Sequence, residues 1–408
     1  MEQHQIACLE IGSSALRLVV GYQLGNAPIV TYATTVKSKD LIKDDKVNLT
    51  NLSAELAKLH DIRDEHKHIN IKLTNVSLVL PSAGLKVYAN EKSTNIVRPD
   101  IGVSKVDVAN AVSLVMQQQL PEGLTTIDVI PEQFILADGS VYSNPPIGKK
   151  TAFLQIQAKV YCLPLTVKDL YTKALTLAGF RISKTCVSSY TAAKLLSTYK
   201  ELPSTYVLLD IGSRGSTVSF IGEGSPYGAL YFYRGGDDLS ERIASDFGIS
   251  FEQAESLKIK YGYEATERAY SPSLVDYAKI TQKDLNRSIE GFFSEYISSL
   301  NNAVETLLSQ YSNPLYSTLP IICIGGGSKL NGLTHFLTEG FPNRPISRVT
   351  PRSIGARDPS YVNLLGMLLS GEYSGSFSDT QKGVVPVNRV SGKGKRGHVA
   401  PSPEDDAL

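Results

Sequence analysis

The stretch Leu9-Glu10-Ile11-Gly12-Ser13 recurs two hundred residues later as Leu209-Asp210-Ile211-Gly212-Ser213. Apolar, β-branched runs flank both copies, so each copy is predicted to be the turn of a β-hairpin. A turn with Gly at its sharp position leaves backbone N–H groups pointing outward without Cβ crowding, which suits phosphate oxygens. The carboxylate two residues before the Gly is suited to hold Mg²⁺ through its waters. Two such turns predict a nucleotide held between two lobes.

A third glycine-rich turn follows the strand-like run Ile321-Ile322-Cys323-Ile324. It reads Gly325-Gly326-Gly327-Ser328 and precedes an amphipathic helical pattern. The order of strand, glycine turn and helix lets the backbone pass closely under a flat ring or a sugar. One acidic turn alone is equally well explained as an ordinary hairpin turn. A matched pair followed by the glycine triplet favours a nucleotide site.

The composition is that of a globular protein. The chain has 408 residues, of which 42% are apolar, and is long enough for two or more cores. Its 41 basic and 40 acidic residues give no indication of nucleic-acid or acidic-membrane binding. The four cysteines have no metal-ligand spacing and indicate a reducing cytosol. No signal segment begins the sequence, and no apolar run approaches the roughly 20 residues of a spanning helix, so we expect a cytoplasmic protein.

The hydrophobic pattern divides the chain into two lobes, an insertion and a tail. The insertion is a compact α+β subdomain with a helix predicted from Val106 to Leu120. The tail is rich in Gly, Ser, Pro and charge, which predicts disorder. The predicted boundaries are 1–81 for the first part of the first lobe, 82–162 for the insertion, 163–200 for the rest of the first lobe, 201–236 for the start of the second lobe, 237–320 for its helical subdomain, 321–372 for its end with a closing helix, and 373–408 for the tail.

Two groups of polar residues have competing interpretations. His60, His66 and His68 lie in one polar run, but no second ligand cluster accompanies them, so a solvated loop or helix end is favoured over a metal site. Glu255 and Lys258 are three residues apart on a predicted helix and face the same way. A surface ion pair and a contact to a ribose or adenine are equally compatible with that spacing.

In their order, these motifs resemble the actin, sugar kinase and heat-shock chaperone ATPase superfamily, and within it the bacterial cell-division family FtsA. The three turns match that superfamily's first phosphate, second phosphate and adenosine motifs. Residues 130–148 resemble FtsA's extra subdomain, and residues 235–262 resemble its nucleotide-side helices. The resemblance covers residues 1 to about 372. It implies an α/β, actin-like two-lobed ATPase fold, a duplicated ribonuclease-H-like core with a small α+β insertion.

The resemblance implies that ATP binds between the lobes together with Mg²⁺. Glu10 and Asp210 are expected to hold the Mg²⁺ through water, although the family usually has Asp at the position of Glu10. Arg214 replaces an expected Gly, and either contacts the phosphates or points outward. The residues expected to contact the nucleotide are Gly12, Ser13, Ser14, Gly212, Ser213, Arg214, Gly215, Ser216, Gly236, Glu255, Lys258, Gly325, Gly326, Gly327 and Ser328.

Hydrolysis is expected to be slow at most. Actin-type ATPases that turn over well place a water-orienting Gln, Glu or Asp after the strand that ends near Val187. This chain has Ser188-Ser189-Tyr190 there, and hydroxyls are poor bases at neutral pH. ATP is therefore expected to act mainly as a structural ligand that favours a closed or polymerising state.

The resemblance also implies a filament-forming adaptor at the inner face of the cytoplasmic membrane at the division site. Such proteins bind the C-terminal tail of the tubulin-like protein FtsZ, here expected through about 237–320, and connect its ring to later membrane proteins of the divisome. Family members usually end in an amphipathic, basic-aromatic helix. Residues 373–408 have no such pattern, so membrane contact is expected to be weak or indirect.

Two other function classes compete with this one. PilM, a pilus-assembly protein, shares the fold and the extra subdomain, and would bind a peptide from an inner-membrane pilus protein instead of the FtsZ tail. A small-molecule kinase with the same core would need a catalytic carboxylate facing a substrate cleft and a substrate-binding insertion, and neither is evident. A P-loop ATPase is excluded because the sequence has no Gly-x4-Gly-Lys-Ser/Thr.

Overall fold

The computed structural model describes residues 5–37, 42–43, 46–64, 69–265, 273–370 and 387–389. The strands are, in chain order, β1 (Ile6–Ile11), β2 (Ala15–Leu24), β3 (Ala27–Lys37), β4 (Ile42–Lys43), β5 (Lys46–Val47), β6 (Asp61–Asp64), β7 (Ile69–Lys72), β8 (Asn75–Leu80), β9 (Lys86–Asn95), β10 (Leu124–Leu136), β11 (Val141–Tyr142), β12 (Phe153–Pro164), β13 (Arg181–Val187), β14 (Thr205–Ile211), β15 (Ser216–Gly222), β16 (Ser225–Phe232), β17 (Ile321–Ile324), β18 (Ile346–Arg348) and β19 (Val387–Arg389).

The helices follow the apolar periodicity of the sequence, and several begin at capping residues. Ser250, for example, caps the helix that carries Glu255 and Lys258, as its spacing from Gln253 predicts. The helices are α1 (Leu49–Ala57), α2 (Lys105–Met116), α3 (Leu165–Leu177), α4 (Ser188–Leu196), α5 (Gly236–Phe247), α6 (Phe251–Lys260), α7 (Gln282–Leu308), α8 (Leu333–Gly340) and α9 (Val362–Leu368).

Each lobe is built on a five-stranded sheet, and the two sheets have the same topology. In the first lobe the order is β3-β2-β1-β8-β13, with β1, β2 and β3 antiparallel and β8 and β13 parallel to β1. In the second lobe the order is β16-β15-β14-β17-β18, with the same directions. The predicted duplicated core of the actin-like fold is therefore confirmed.

Both predicted hairpins form, and their turns have the same hydrogen bond. The Gly12 N–H donates to the carbonyl of Ala15 at 2.9 Å, and the Gly212 N–H donates to the carbonyl of Gly215 at 2.9 Å. The central strands β1 and β14 are mainly buried, because they are covered on both faces. The repeated stretch thus places two equivalent turns at equivalent ends of the two central strands.

The insertion is a four-stranded antiparallel sheet, in the order β11-β10-β12-β9, with α2 packed against it. The helix ends at Met116, four residues before the predicted end at Leu120. One side of the insertion contacts the second lobe. There the Lys159 ammonium lies 3.9 Å from the ring centroid of Tyr227 and 2.8 Å from Glu132 Oε1. Tyr161 of the insertion also packs on Tyr190 of the first lobe, with ring centroids 5.4 Å apart, so the insertion contacts both lobes.

Helices α4 and α9 lie in a core shared by strands of both lobes. Gly366 lets them approach closely, since a Cβ built on it would lie 1.7 Å from the carbonyl oxygen of Thr191. The sequence pattern assigned the closing helix, within 321–372, to the end of the second lobe. In the structure α9 packs on β1, β2 and β8 of the first lobe as well as on α4, so this helix contributes to the core that both lobes share.

Two further expectations are corrected or left open. His60 is not a solvated residue, since its ring nitrogens lie 2.6 Å from the carbonyl oxygens of Leu73 and Ala178 and its ring stacks on Phe180. His66 and His68 lie outside the described residues, as does most of the tail at 373–408. Within that tail Val387–Arg389 forms a strand antiparallel to β7 rather than the disordered segment expected.

Candidate functional site

A cleft of about 1140 Å³ lies between the two lobes. Three turns border it: loop 1 (residues 10–14), loop 2 (residues 210–214) and the glycine loop (residues 325–328). The predicted site residues that line it are Ser13, Ser14, Gly212, Ser213, Arg214, Gly236, Glu255, Lys258, Gly326 and Gly327. Elements that are far apart in the sequence thus converge on one space.

Loop 1 and loop 2 face each other directly. The hydroxyl oxygens of Ser13 and Ser213 lie 2.6 Å apart and form a hydrogen bond between the lobes. Each serine follows the Gly of its turn, so equivalent positions of the repeat meet. The pairing of the two turns that the repeat predicted is therefore present in the geometry.

The start of α5 is anchored to loop 2. The Gly236 N–H donates to the carbonyl of Gly212 at 3.0 Å, and the Asp237 N–H donates to that of Ser213 at 2.7 Å. Arg214 lines the cleft, with its Nε 3.6 Å from Asp237 Oδ2. Arg214 therefore lies at the cleft, and its contact with the phosphates stays a prediction.

Glu255 and Lys258 also line the cleft, on α6. The Lys258 ammonium lies 2.5 Å from Glu255 Oε2 and donates to the carbonyl of Gly236 at 2.7 Å. Ser240 donates from its hydroxyl to the same carboxylate oxygen of Glu255 at 2.5 Å. The lysine side chain is only 11% exposed, so this is not a solvated surface pair. The pair holds α5 and α6 together at the cleft wall.

The glycine loop packs tightly beneath loop 2. A Cβ on Gly325 would lie 2.3 Å from Asp210 Oδ1, and one on Gly327 would lie 2.3 Å from the side chain of Ile211. The backbone at Gly325 has φ +82°, which side-chain-bearing residues rarely adopt. Glycine is required at these positions for the loop to reach the cleft.

Some residues that were predicted to contact the nucleotide form hydrogen bonds within the protein. Ser216 is fully buried, and its hydroxyl donates to the Arg234 carbonyl at 2.8 Å and lies 2.8 Å from the Tyr296 hydroxyl. Ser328 is buried and bonds the carbonyl of Gly325 at 2.7 Å. These two hydroxyls are hydrogen-bonded within the protein, and the predicted contact of the two residues with the nucleotide stays a prediction. Among described residues, the cleft lining also omits Gly12, Gly215, Gly325, Glu10 and Asp210.

The two carboxylates of the repeat meet at one amide. Asn363 Nδ2 donates to Glu10 Oε1 at 2.9 Å and to Asp210 Oδ2 at 3.1 Å. Burial raises the pKa of Glu10 to about 7, with Arg17 lowering it and Asp210 raising it, and burial also raises the pKa of Asp210. Within the described residues Glu10 Oε2 and Asn363 Oδ1 are buried acceptors without a hydrogen-bond partner.

These acceptors fit contact with a hydrated cation rather than direct coordination. No group of three or more Asp, Glu, His or Cys residues in the described part of the chain is arranged to hold a metal ion. Mg²⁺ keeps several waters in most protein sites, and orphaned carboxylate and amide oxygens are suitable acceptors for such waters. The predicted water-mediated role of Glu10 and Asp210 stays a prediction.

Sequence reasoning missed Arg17. It lines the cleft from β2, opposite Glu10 in the register of the hairpin. A Cβ on Gly12 would lie 3.2 Å from its Nη1, and one on Gly326 would lie 3.9 Å from its Nη2, so the guanidinium extends from loop 1 towards the glycine loop. Its Nε is buried without a hydrogen-bond partner among the residues described. The register of the predicted hairpin, which places Arg17 opposite Glu10, could have identified this residue from the sequence.

The remaining lining combines apolar and polar side chains. Five side chains on α5, α6, α7 and the segment before α8 supply apolar contact surface: Leu239, Ile259, Phe292, Phe293 and Leu330. At the first-lobe side, Lys329 pairs with Asp358 at 2.7 Å, and the hydroxyls of Thr35 and Tyr361 lie 2.8 Å apart. A ligand that carries both polar and apolar groups matches this lining.

The hydroxyls that follow β13 do not border the cleft. Ser188 bonds Ser82 through their hydroxyls at 3.0 Å, and Ser189 bonds Ser219 at 2.7 Å. Both serines are buried. They connect the first lobe to the base of the insertion and to the second lobe, through hydrogen bonds to Ser82 and Ser219.

The second lobe, including loop 2 and the glycine loop, matches a known family. Residues 207–366 match the family model of "Cell division protein FtsA". The second lobe is therefore similar in sequence to FtsA. Cell division protein FtsA of Streptococcus pneumoniae is 23% identical over 96% of this chain and 84% of its own length. FtsA of Enterococcus faecalis is 22% identical over 91% of this chain and 83% of its own length. The FtsA-like sequence therefore extends across both lobes.

Among solved structures, a PilM–PilN type IV pilus biogenesis complex has the same fold. The TM-score is 0.57 at 19% identity, over 89% of this chain and 97% of the other. At that identity the likeness establishes the fold alone. In the described residues no helix combines the length and hydrophobicity that crossing a membrane requires.

Proposed function

We propose that the chain is an actin-like, ATP-binding cell-division protein that polymerises and links the FtsZ ring to the cytoplasmic membrane and to later divisome proteins. The observation that carries the proposal is the hydrogen bond between Ser13 and Ser213 at the head of a cleft whose second lobe matches FtsA. It would place the protein at the inner face of the cell membrane at the division site.

In this proposal the triphosphate lies between loop 1 and loop 2. Backbone N–H groups of loop 1 and loop 2 would donate hydrogen bonds to the phosphate oxygens. Arg17 and Arg214 would supply positive charge. The adenine and ribose would lie between the glycine loop and the α6 pair Glu255–Lys258, against the apolar lining. Mg²⁺, with its waters facing Glu10 and Asp210, would neutralise phosphate charge.

The proposal includes slow hydrolysis at most. The hydroxyls of Ser188 and Ser189 are bonded to other serines, which leaves them poorly placed to orient an attacking water. ATP would then stabilise the closed arrangement of the lobes and thereby favour self-association into filaments.

The FtsZ tail would bind the helical subdomain at about 237–320, which contains α5, α6 and α7. Binding of a peptide to a helical surface of this kind uses exposed apolar side chains, and Tyr277 is 51% exposed there. Membrane contact would come through a partner.

The test is a paired measurement on the full chain. Calorimetry with ATP and Mg²⁺ is expected to give one site per chain. Pull-down with an FtsZ C-terminal tail peptide is expected to retain the protein, whereas a scrambled peptide of the same composition is not. Absence of ATP binding at millimolar concentration, or equal retention by both peptides, contradicts the proposal.

The second candidate is a PilM-like adaptor that binds an inner-membrane pilus peptide. The similarity of fold to the PilM–PilN complex favours it. Including a pilus-protein peptide in the same pull-down separates the two, since each candidate predicts retention by one peptide and not by the other.

A further inference from the structure

Asn363 occupies an unusual position between the lobes. It lies on α9 and is 5% exposed, and its single amide nitrogen donates to one carboxylate from each lobe. Glu10 is on β1 and Asp210 is on β14. A bridge of this kind forms only when the two strands stand at one separation, because a hydrogen bond tolerates only a few tenths of an ångström.

We propose that Asn363 is a positioning residue that fixes the separation of the Glu10 and Asp210 carboxylates, so that the two lobes stay closed without a metal ion between them. The proposal deepens the proposed function, since it rests on this cleft being the nucleotide site.

The charges explain why such a bridge is needed. Above the raised pKa of Glu10, about 7, both carboxylates are charged and repel each other, which favours separation of the lobes. Arg17, opposite Glu10 on β2, supplies one positive charge. Asn363 adds two charge-assisted hydrogen bonds, one to each carboxylate, and such bonds are stronger than those between neutral groups. When the Asn363 amide is removed, Arg17 is the positive group in the described part of the chain that still offsets the repulsion between the Glu10 and Asp210 carboxylates.

The side chain at position 10 matches this role. Glu is one methylene longer than Asp, which extends the carboxylate by about 1.5 Å. In this chain the Glu10 carboxylate is bonded to α9, beside the cleft rather than in its lining. The longer acid and the amide of Asn363 are therefore complementary.

The helix that carries Asn363 is itself fixed. Gly366 packs against the backbone of Thr191 in α4, and α9 also contacts β1 and β8. Asn363 therefore has a set position relative to loop 1, and its bond to Asp210 ties the second lobe to that position.

The test uses hydrogen exchange of the nucleotide-free full chain in EDTA, followed in peptides that contain residues 9–15 and 209–215. The wild-type protein is expected to exchange at rates that agree within about twofold with those in Mg²⁺, because closure needs no metal. Asn363→Ala is expected to accelerate exchange in both peptides by about tenfold, the effect of losing a hydrogen bond to a charged group. Asn302→Ala, on the exposed side of α7, is the matched control and is expected to change neither peptide.

A rescue distinguishes positioning from packing. Glu10→Gln combined with Asn363→Ala removes the repulsion, so the double variant is expected to return to within about threefold of wild type. Failure of this rescue, or wild-type loops that are protected only in Mg²⁺, overturns the proposal. If Asn363→Ala does not fold, Asn363→Ser, which keeps one donor, is expected to exchange faster than the wild-type protein in both peptides, and a wild-type rate would overturn the proposal. No step involves nucleotide, so failure to bind ATP contradicts the proposed function separately.

Discussion

The hydroxyl oxygens of Ser13 and Ser213, two hundred residues apart in the chain, lie 2.6 Å from each other. This contact joins the two copies of the repeated turn across the cleft. Since the turns have the same backbone hydrogen bond, each lobe presents the same geometry to the other.

Replacing either serine of this contact by Ala is expected to weaken ATP binding by about 3–15-fold, since one hydrogen bond contributes roughly 1 kcal/mol. The double replacement is expected to cost less than the sum of the two single costs, because both remove the same bond. Calorimetric titration of ATP into the wild-type protein, the two single variants and the double variant gives the double-mutant cycle. Strictly additive losses would show that the serines act independently.

Gly366→Ala is expected to destabilise the protein by more than about 2 kcal/mol, because the new Cβ would overlap the Thr191 carbonyl and force α4 and α9 apart. Denaturant unfolding measures the change. Gly139→Ala is the control: it has open space around it and a positive φ, so it should cost only about 1 kcal/mol of backbone strain. Equal losses for the two variants would argue against close helix packing as the cause.

The stability of the protein is expected to fall as pH rises from about 4.5 to about 7. Burial raises the pKa of Glu10 from 4.5 to about 7, so the folded state binds this proton more tightly than the unfolded state. Stabilisation by that proton is complete below the unfolded pKa and is lost as pH rises through the folded pKa, with a total on the order of 3 kcal/mol. Asp210, whose pKa is also raised, contributes in the same direction.

Urea unfolding at several pH values measures this slope. Glu10→Gln is expected to flatten it, whereas Glu122→Gln, an exposed carboxylate in the insertion, should leave it unchanged. A slope that is the same in all three proteins would assign the pH dependence to other groups.

Arg17→Ala is expected to reduce ATP affinity by about 10–100-fold, because a charge-assisted hydrogen bond to phosphate contributes roughly 1.5–3 kcal/mol. The loss should be smaller for adenosine, which carries no phosphate. Arg287→Ala, whose side chain is 73% exposed on α7, controls for net charge. An equal loss for ATP and adenosine would place Arg17 away from the phosphates.

Local patterns in the sequence determined the elements of the fold. The hairpins at residues 9–13 and 209–213, the strand before the glycine loop and the capped helix at Ser250 all follow from alternation, turn residues and caps, which act over a few neighbouring residues. The recurrence of the turn with its flanks was sufficient to predict the duplicated core and the cleft between its halves.

Tertiary structure alone decided which side chains meet at the cleft. Asn363 reaches both carboxylates because α9 packs between the lobes, and Ser216 turns inward because Tyr296 of α7 lies behind it. His60 is likewise held by a carbonyl 118 residues away. Such contacts depend on how segments that are distant in the sequence pack together. The spacing of residues along the chain does not predict that packing. The sequence by itself therefore determined the two turns, whereas their separation and the amide that bridges their carboxylates were decided by the folded lobes.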